Sequence, residues 1–400
     1  LGIHYMTAAE TTVKPDYDRG SVQSTYAHIQ EDLEQALQWV SDSYYTVPKY
    51  HFNTQAAHAF AAKFYLFKRD YEKVIEQANL ILGTSQAEAK KMMFDAAAAK
   101  ALGNGEEERN AWVDVTSNSN LLITNTMSFY LYSFHPSYCR YTFNRVPENA
   151  VLTGDGPCWD DRFPGCNIWQ YNQNFGGFLA KIDVAFEYTD KIAGIGYAHE
   201  IRRELTAGEV LLARAEAEIM LNLTAAAVAD MNLYCKSWLC TKELNDSRIN
   251  SFYNLNYETA VVSPQSLVSQ RCPTLHNYDM SSTWTITDEQ KPYIWCVLAL
   301  RRFEKLHDGE RLFDIKRYGI EIQHEIGYPV QTKTLTWNDD RRALQLPQEA
   351  ILAGQEANPR VTMGDNITVT NDLTAPTKND LELYVEFKSN TPQLVPFDLK

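Results

Sequence analysis

Cysteine is scarce in this sequence, with seven residues in 400. That is too few to staple a chain of this length, and no paired C-x-x-C arrangement supplies a zinc ligand set, so neither a disulfide scaffold nor a metal site is expected. Cys158 and Cys166 flank a loop containing Pro and Gly; they either close a small bridge in an oxidising compartment or stand as two separate thiols. Long apolar runs are missing too. The best candidate, Val210 to Leu223, is broken by Arg214, Glu216 and Glu218, well short of the ~20 apolar residues a bilayer-spanning helix needs. Basic residues are outnumbered, 37 against 51 acidic, for a net charge of −14. That balance excludes a general nucleic-acid binder, because such affinity comes from Lys and Arg displacing counterions. Catalytic signatures are also lacking: there is no H-E-x-x-H, no G-x-S-x-G and no phosphate-binding G-x-x-x-x-G-K. His199-Glu200 is only a dipeptide and reads as surface charge.

What the sequence does have is helical periodicity. Val22, Tyr26, Ile29, Leu33, Leu37 and Val40 recur at helical intervals, with Ser21 placed to cap the start and Pro48 beyond the end. A second helix is expected from Thr54 to Lys68, rich in alanine, and after Arg69-Asp70 a third from Tyr71 to Leu82 before Gly83. Small residues on one helix and large ones on its partner allow close approach, the pattern of a tetratricopeptide hairpin. A similar unit returns at Leu205, where Thr206 and Glu209 read as a capping box, and a third helical region opens with Thr287 to Gln290. A strict period of about 34 residues is absent, so the hairpins are irregular.

Between these blocks the composition shifts. Residues 129–188 hold 15 aromatics in 60 positions, and from Phe129 to Ala180 only seven of 52 residues are charged. Gly, Pro and Asn punctuate the stretch, so it reads as a looped insert. Val361 to Val369 and Leu381 to Phe387 alternate as strands would. The fold class expected is mainly α: a single unit with helical hairpins over 1–100, an aromatic insert over 101–198, further hairpins over 199–330 and a β-containing tail over 331–400.

The segment from Arg301 to Gly319, with Glu310-Arg311, Phe313-Asp314 and Arg317-Tyr318-Gly319, resembles the signature of the SusD/RagB family. Three further stretches are similar to that family in the same order: Gly2 to Thr7 with the helix from Ser21, the helix Leu205 to Ala217, and Leu344 to Ile351 followed by Asn358-Pro359. Arg311, Asp314 and Arg317, at i, i+3 and i+6, form a charge ladder on one helical face and read as a structural signature, while Leu312, Phe313 and Ile315 are expected in the core.

The resemblance implies a cell-surface nutrient-binding protein of the Bacteroidetes outer membrane. Such a protein captures a glycan, or a peptide in the RagB branch, and delivers it to a SusC-like TonB-dependent transporter without catalysis or cofactor. It implies a lipid anchor upstream of Leu1, where the family's N-terminal segment would lie. A tetratricopeptide adaptor that binds only protein is a rival of another class, but it would not need the aromatic insert.

Pyranose rings stack on aromatic faces and pair their hydroxyls with polar side chains. Trp159, Trp169 and Tyr171 are candidate platforms, with Tyr130, Tyr132 and Tyr138 beside them and Trp284 a secondary one. Asp160 and Asn172 are the preferred hydrogen-bonding partners; for Asp161-Arg162 the resemblance implies an ion pair that fixes a loop. For each aromatic the competing role is filling a small core under the loops. Asp155, Asp160 and Asp161 set no carboxylate pair at the spacing a glycosidase needs.

Overall fold

In a computed structural model the described residues are 2–9, 11, 19–103, 105–127, 155–160, 163–170, 177–179, 181, 185–253, 271–276, 285–326, 331–337, 339–358 and 367–369. Among them the chain is mainly helical. In order come α1 (Val22–Ala36), α2 (Thr54–Lys68), α3 (Tyr71–Leu82), α4 (Gln86–Lys90), α5 (Ala96–Leu102), α6 (Gly105–Trp112), strands β1 (Asn120–Met127), β2 (Ile168–Gln170), β3 (Gly177–Leu179), β4 (Ala185–Asp190) and β5 (Ile195–Thr206). Helices α7 (Ala207–Met220), α8 (Thr224–Ser237), α9 (Asp246–Phe252), α10 (Lys291–Glu304) and α11 (Arg311–Tyr318) follow, then β6 (Ile322–Ile326), β7 (Gln331–Leu335), α12 (Gln348–Leu352) and β8 (Ile367–Val369). The chain divides into two compact units, residues 1–320 and 321–400.

Local chemistry sets the helix ends. Ser21 and Ser24 form a reciprocal capping box on α1, which stops at Ala36 rather than running on to Val40. Asn53 accepts the Ala56 N–H at 2.9 Å to start α2, and Arg69 closes it in the left-handed region at φ 66°. The bounds expected for α2 and α3 match the structure. The box read at Thr287 forms, with Gln290 Oε1 accepting from the Thr287 N–H at 3.0 Å. At α7 only half of the expected box forms: Thr206 Oγ1 accepts the Glu209 N–H at 3.1 Å, while the Glu209 carboxylate turns to Lys63 and Lys305, each at 3.2 Å.

Helix α7 is the axis of the first unit, buried along almost all of its length, Glu209, Arg214, Glu216 and Glu218 included. The charges that rule out a bilayer span sit at the centre of the fold. Leu33, Phe64, Tyr65, Val74, Ala213 and Ala217 join α1, α2, α3 and α7 in one apolar cluster. A larger cluster joins α7, α8 and α10 with an aromatic stack of Phe94, Trp112, Trp238 and Phe303. Trp112 and Trp238 lie 5.2 Å apart between centroids, and the Arg203 guanidinium covers Trp112 at 4.6 Å.

The insert is partly a sheet. Strand β5, 12 residues long, pairs antiparallel with β1 on one side and β4 on the other, and β2 pairs with β3. In the second unit β6, β7 and β8 form an antiparallel sheet. Of the two tail strands expected, β8 realises the end of the first, and Leu381 to Phe387 lies outside the described residues. The run from Leu344 to Asn358 closes as a clip, where Gln345 and Asn358 exchange hydrogen bonds at 2.9 Å.

Candidate functional site

The family signature departs from expectation at two of its three apolar positions: Ile315 packs against the core, but Leu312 and Phe313 do not. Asp314 is buried and Arg317 largely so, whereas Leu312 is 43% and Phe313 44% exposed; Phe313 stacks on Phe67 at 5.4 Å rather than entering the core. The reason is the fully buried carboxylate of Glu216 on α7, which needs cations. Arg317 donates to both its oxygens at 2.6 and 3.0 Å and reaches Asp314 at 2.9 Å. Tyr318 Oη donates to it as well. Arg301 lies 3.4 Å from Asp314, and Arg311 3.8 Å from its other oxygen. Burial alone would raise the Asp314 carboxyl, but Arg301, Arg317 and Arg311 outweigh it and hold it down at about 2. The network ties α11 to α7 and α10.

One edge of that network opens into a concavity of about 490 Å³ of empty space. Its aromatic wall is Trp159, Phe252, Tyr253 and Trp295. Trp295, Leu298, Ala299 and Arg302 all line it, and their i, i+3, i+4 and i+7 spacing presents one face of α10 to the opening. Trp295 spends its indole N–H on the Pro273 carbonyl at 2.9 Å, and Tyr253 lies 6.3 Å from it, centroid to centroid. The floor is Asp155 to Pro157. Gly156 has no room for a side chain, since a Cβ there would fall 1.9 Å from the Trp159 ring.

Three guanidiniums complete the lining. Arg271 donates to the Asp155 carbonyl at 3.0 Å and covers the Phe252 ring at 4.6 Å. Among the described residues Arg311 is held by Asp314 at 3.8 Å, beyond hydrogen-bond reach, and its buried Nη1 has no hydrogen-bond partner there. Arg302 has no hydrogen bond or ion pair among the described residues; burial and the adjacent Arg311 push it down to about 9, so it stays charged at neutral pH.

The expected site residues are distributed as follows. Trp159 is 7% exposed, edge-on to Phe163 at 4.9 Å, and belongs to the core while lining the concavity. Asp160 is exposed and its carboxylate is engaged by Lys242. The backbone of Trp169 lies in β2 opposite Phe178. Tyr130, Tyr132, Tyr138, Tyr171, Asn172 and Trp284 lie outside the described residues, as does the Asp161-Arg162 pair. Sequence reasoning missed Arg302 and Trp295, although their shared helical face was legible. It also missed the exposed pair Phe186 and Tyr188 on β4, 4.7 Å apart between ring centroids.

Of the two alternatives for Cys158 and Cys166, the structure shows separate thiols, both buried. Cys158 does not face Cys166; its Sγ lies 3.0 Å from that of Cys235, and Cys240 Sγ completes a group of three within 4.8 Å. Hydrogen bonds from Cys158 and Cys235 lower the Cys240 thiol. The fold thus assembles a thiol cluster that no sequence spacing announced. No helix among the described residues is long and apolar enough to cross a membrane.

Residues 2–66 match a SusD-like family model described as starch-binding associating with outer membrane. No curated protein matches the chain. Among solved structures, a SusD superfamily protein of Bacteroides vulgatus aligns at TM-score 0.51 and 17% identity, over 87% of this chain and 68% of that one. A second protein of that organism, whose name assigns it sugar binding, aligns at 0.56 and 16%, over 90% and 70%. A SusD superfamily protein of Bacteroides fragilis aligns at 0.50 and 15%, over 88% and 67%. Its N-terminal residues thus match a SusD-like family model, and its fold is similar to those of solved SusD superfamily structures over most of its length.

Proposed function

We propose that this protein captures a glycan at the outer membrane and passes it to a SusC-like TonB-dependent transporter, acting as a binder rather than a catalyst. The observation that carries the reading is the match of residues 2–66 to a family model whose description is starch-binding at the outer membrane. The aromatic concavity on the same chain is its chemical complement: apolar ring edges and a few directional polar groups are what sugars require. On this reading the protein sits on the extracellular face, held by a lipid anchor upstream of Leu1. Trp159 at the rim, with Trp169, Tyr171, Tyr130, Tyr132, Tyr138 and Trp284, supplies stacking surface, and Asp160 and Asn172 pair with hydroxyls.

The test is a titration of the purified protein against a polysaccharide panel and a peptide pool. Saturable binding to one or more glycans supports the reading. Binding to peptides alone replaces it with a RagB-like peptide lid. Binding to neither, together with co-purification of protein partners only, leaves the adaptor role. If the Trp159→Ala, Trp169→Ala double variant folds and binds the glycan with unchanged affinity, the site lies elsewhere.

A further inference from the structure

Two of the aromatic walls of the concavity offer no open face for a sugar ring to stack on. Tyr253 is 1% and Trp295 3% exposed, so their faces are already covered by protein. What the pocket presents instead is charge. Arg302, Arg311 and Arg271 line one cavity, and Arg311 lowers the affinity of Arg302 for a proton. Asp155 is the carboxylate among the lining residues; its side chain is exposed, and the contact recorded to Arg271 is through its backbone carbonyl. Asp314, the nearest counter-charge to Arg311, is already shared by Arg301 and Arg317. An unpaired cation in a partly dehydrated pocket is costly, and two side by side are more so. The fold retains them together at the head of an aromatic-lined opening.

We propose that this corner receives the anionic substituent of the ligand, a carboxylate or a sulfate ester, so that the glycan captured is an acidic one. Planar guanidinium forks suit both oxyanions, which accept two parallel N–H donors each. The sugar ring itself stays at the mouth against the Trp159 edge while its charged arm reaches Arg302 and Arg311. The inference rests on the glycan-binding reading and adds the substrate class to it.

The experiment compares matched pairs of oligosaccharides by calorimetry: a uronate-containing oligosaccharide against its carboxyl-reduced form, and a sulfated one against its desulfated form. The expected result is at least about tenfold tighter binding for one charged member, weakening as salt is raised. Whichever pair shows the preference identifies carboxylate or sulfate as the anion. Arg302→Gln should abolish that preference, while Arg302→Lys should keep part of it. Since Arg302 holds nothing in place, the Gln variant should unfold at the same or a higher denaturant concentration. Equal affinity within both pairs overturns the inference and leaves the glycan reading standing; a preference that survives in Arg302→Gln overturns the assignment to this corner. Failure of every glycan to bind removes both.

Discussion

Arg317 grips Glu216 through both carboxylate oxygens, at 2.6 and 3.0 Å, and so ties helix α11 to the buried axis α7 across 101 residues of sequence. Glu216 has no exposed surface. Removing one partner of such a pair strands the other charge in the interior, which costs about 3–5 kcal/mol. Glu216→Ala and Arg317→Ala should each lower the free energy of unfolding in urea by that amount. The double variant should cost less than the two added together, because neither charge is then left alone. Strict additivity would show that the contact is not energetically coupled.

Acid should loosen the same region. Burial raises the Glu209 carboxyl, but Lys305, Lys63 and Arg301 overcome it and hold it at about 2. A carboxyl whose folded pKa lies below its unfolded one adds stability above the unfolded value near 4.5, and that stability is lost as pH falls towards 2. Glu209→Gln should therefore unfold at a lower temperature than the natural chain at pH 7, with the gap closing between about pH 4.5 and 2. A gap that stays constant over this range would contradict the assignment.

Glu218 behaves in the opposite sense. Burial, reinforced by Asp230 and opposed by Arg214, raises it to about 8. Its contribution is thus fully present below about pH 4.5 and fades as pH rises towards 8. Glu218→Gln should stabilise the protein at pH 8, on the order of 1 kcal/mol, and make little difference at pH 4. A pH-independent effect in thermal melts would show that the carboxyl titrates normally.

Oxidation should join Cys158 to Cys235 or Cys240, not to Cys166. Three sulfurs within 4.8 Å make exchange among them local, while Cys166 stands outside the group. Treatment with a small-molecule disulfide followed by non-reducing peptide mapping checks this. A Cys158–Cys166 peptide as the main product would overturn the placement.

Gly156→Ala probes the concavity without touching a charge. The added methyl would fall 1.9 Å from the Trp159 ring, so the ring that lines the concavity must shift. Glycan affinity should fall while the urea midpoint moves only modestly; intact affinity would mean that this floor does not shape the site.

Local rules were enough for the hairpin of α2 and α3, whose bounds follow from an Asn cap, an alanine stripe and a glycine stop. Periodicity and capping are encoded within a few residues, so they survive reading one segment at a time. The same is true of the charge excluding nucleic acid and of the broken apolar run at Val210 to Leu223. What the sequence could not decide was which surface of each segment faces inward. Arg311, Asp314 and Arg317 read as a ladder among themselves until Glu216, about a hundred residues earlier, is placed against them. Cys158 could bridge its near neighbour or stand alone by sequence, and α8 instead brings Cys235 alongside it. Arg302 looks like one more surface cation until Arg311 and a wall of aromatics close around it. In each case the deciding neighbour is distant in sequence, and burial converts an ordinary charged or polar residue into one whose partner, or lack of one, determines what the site can hold.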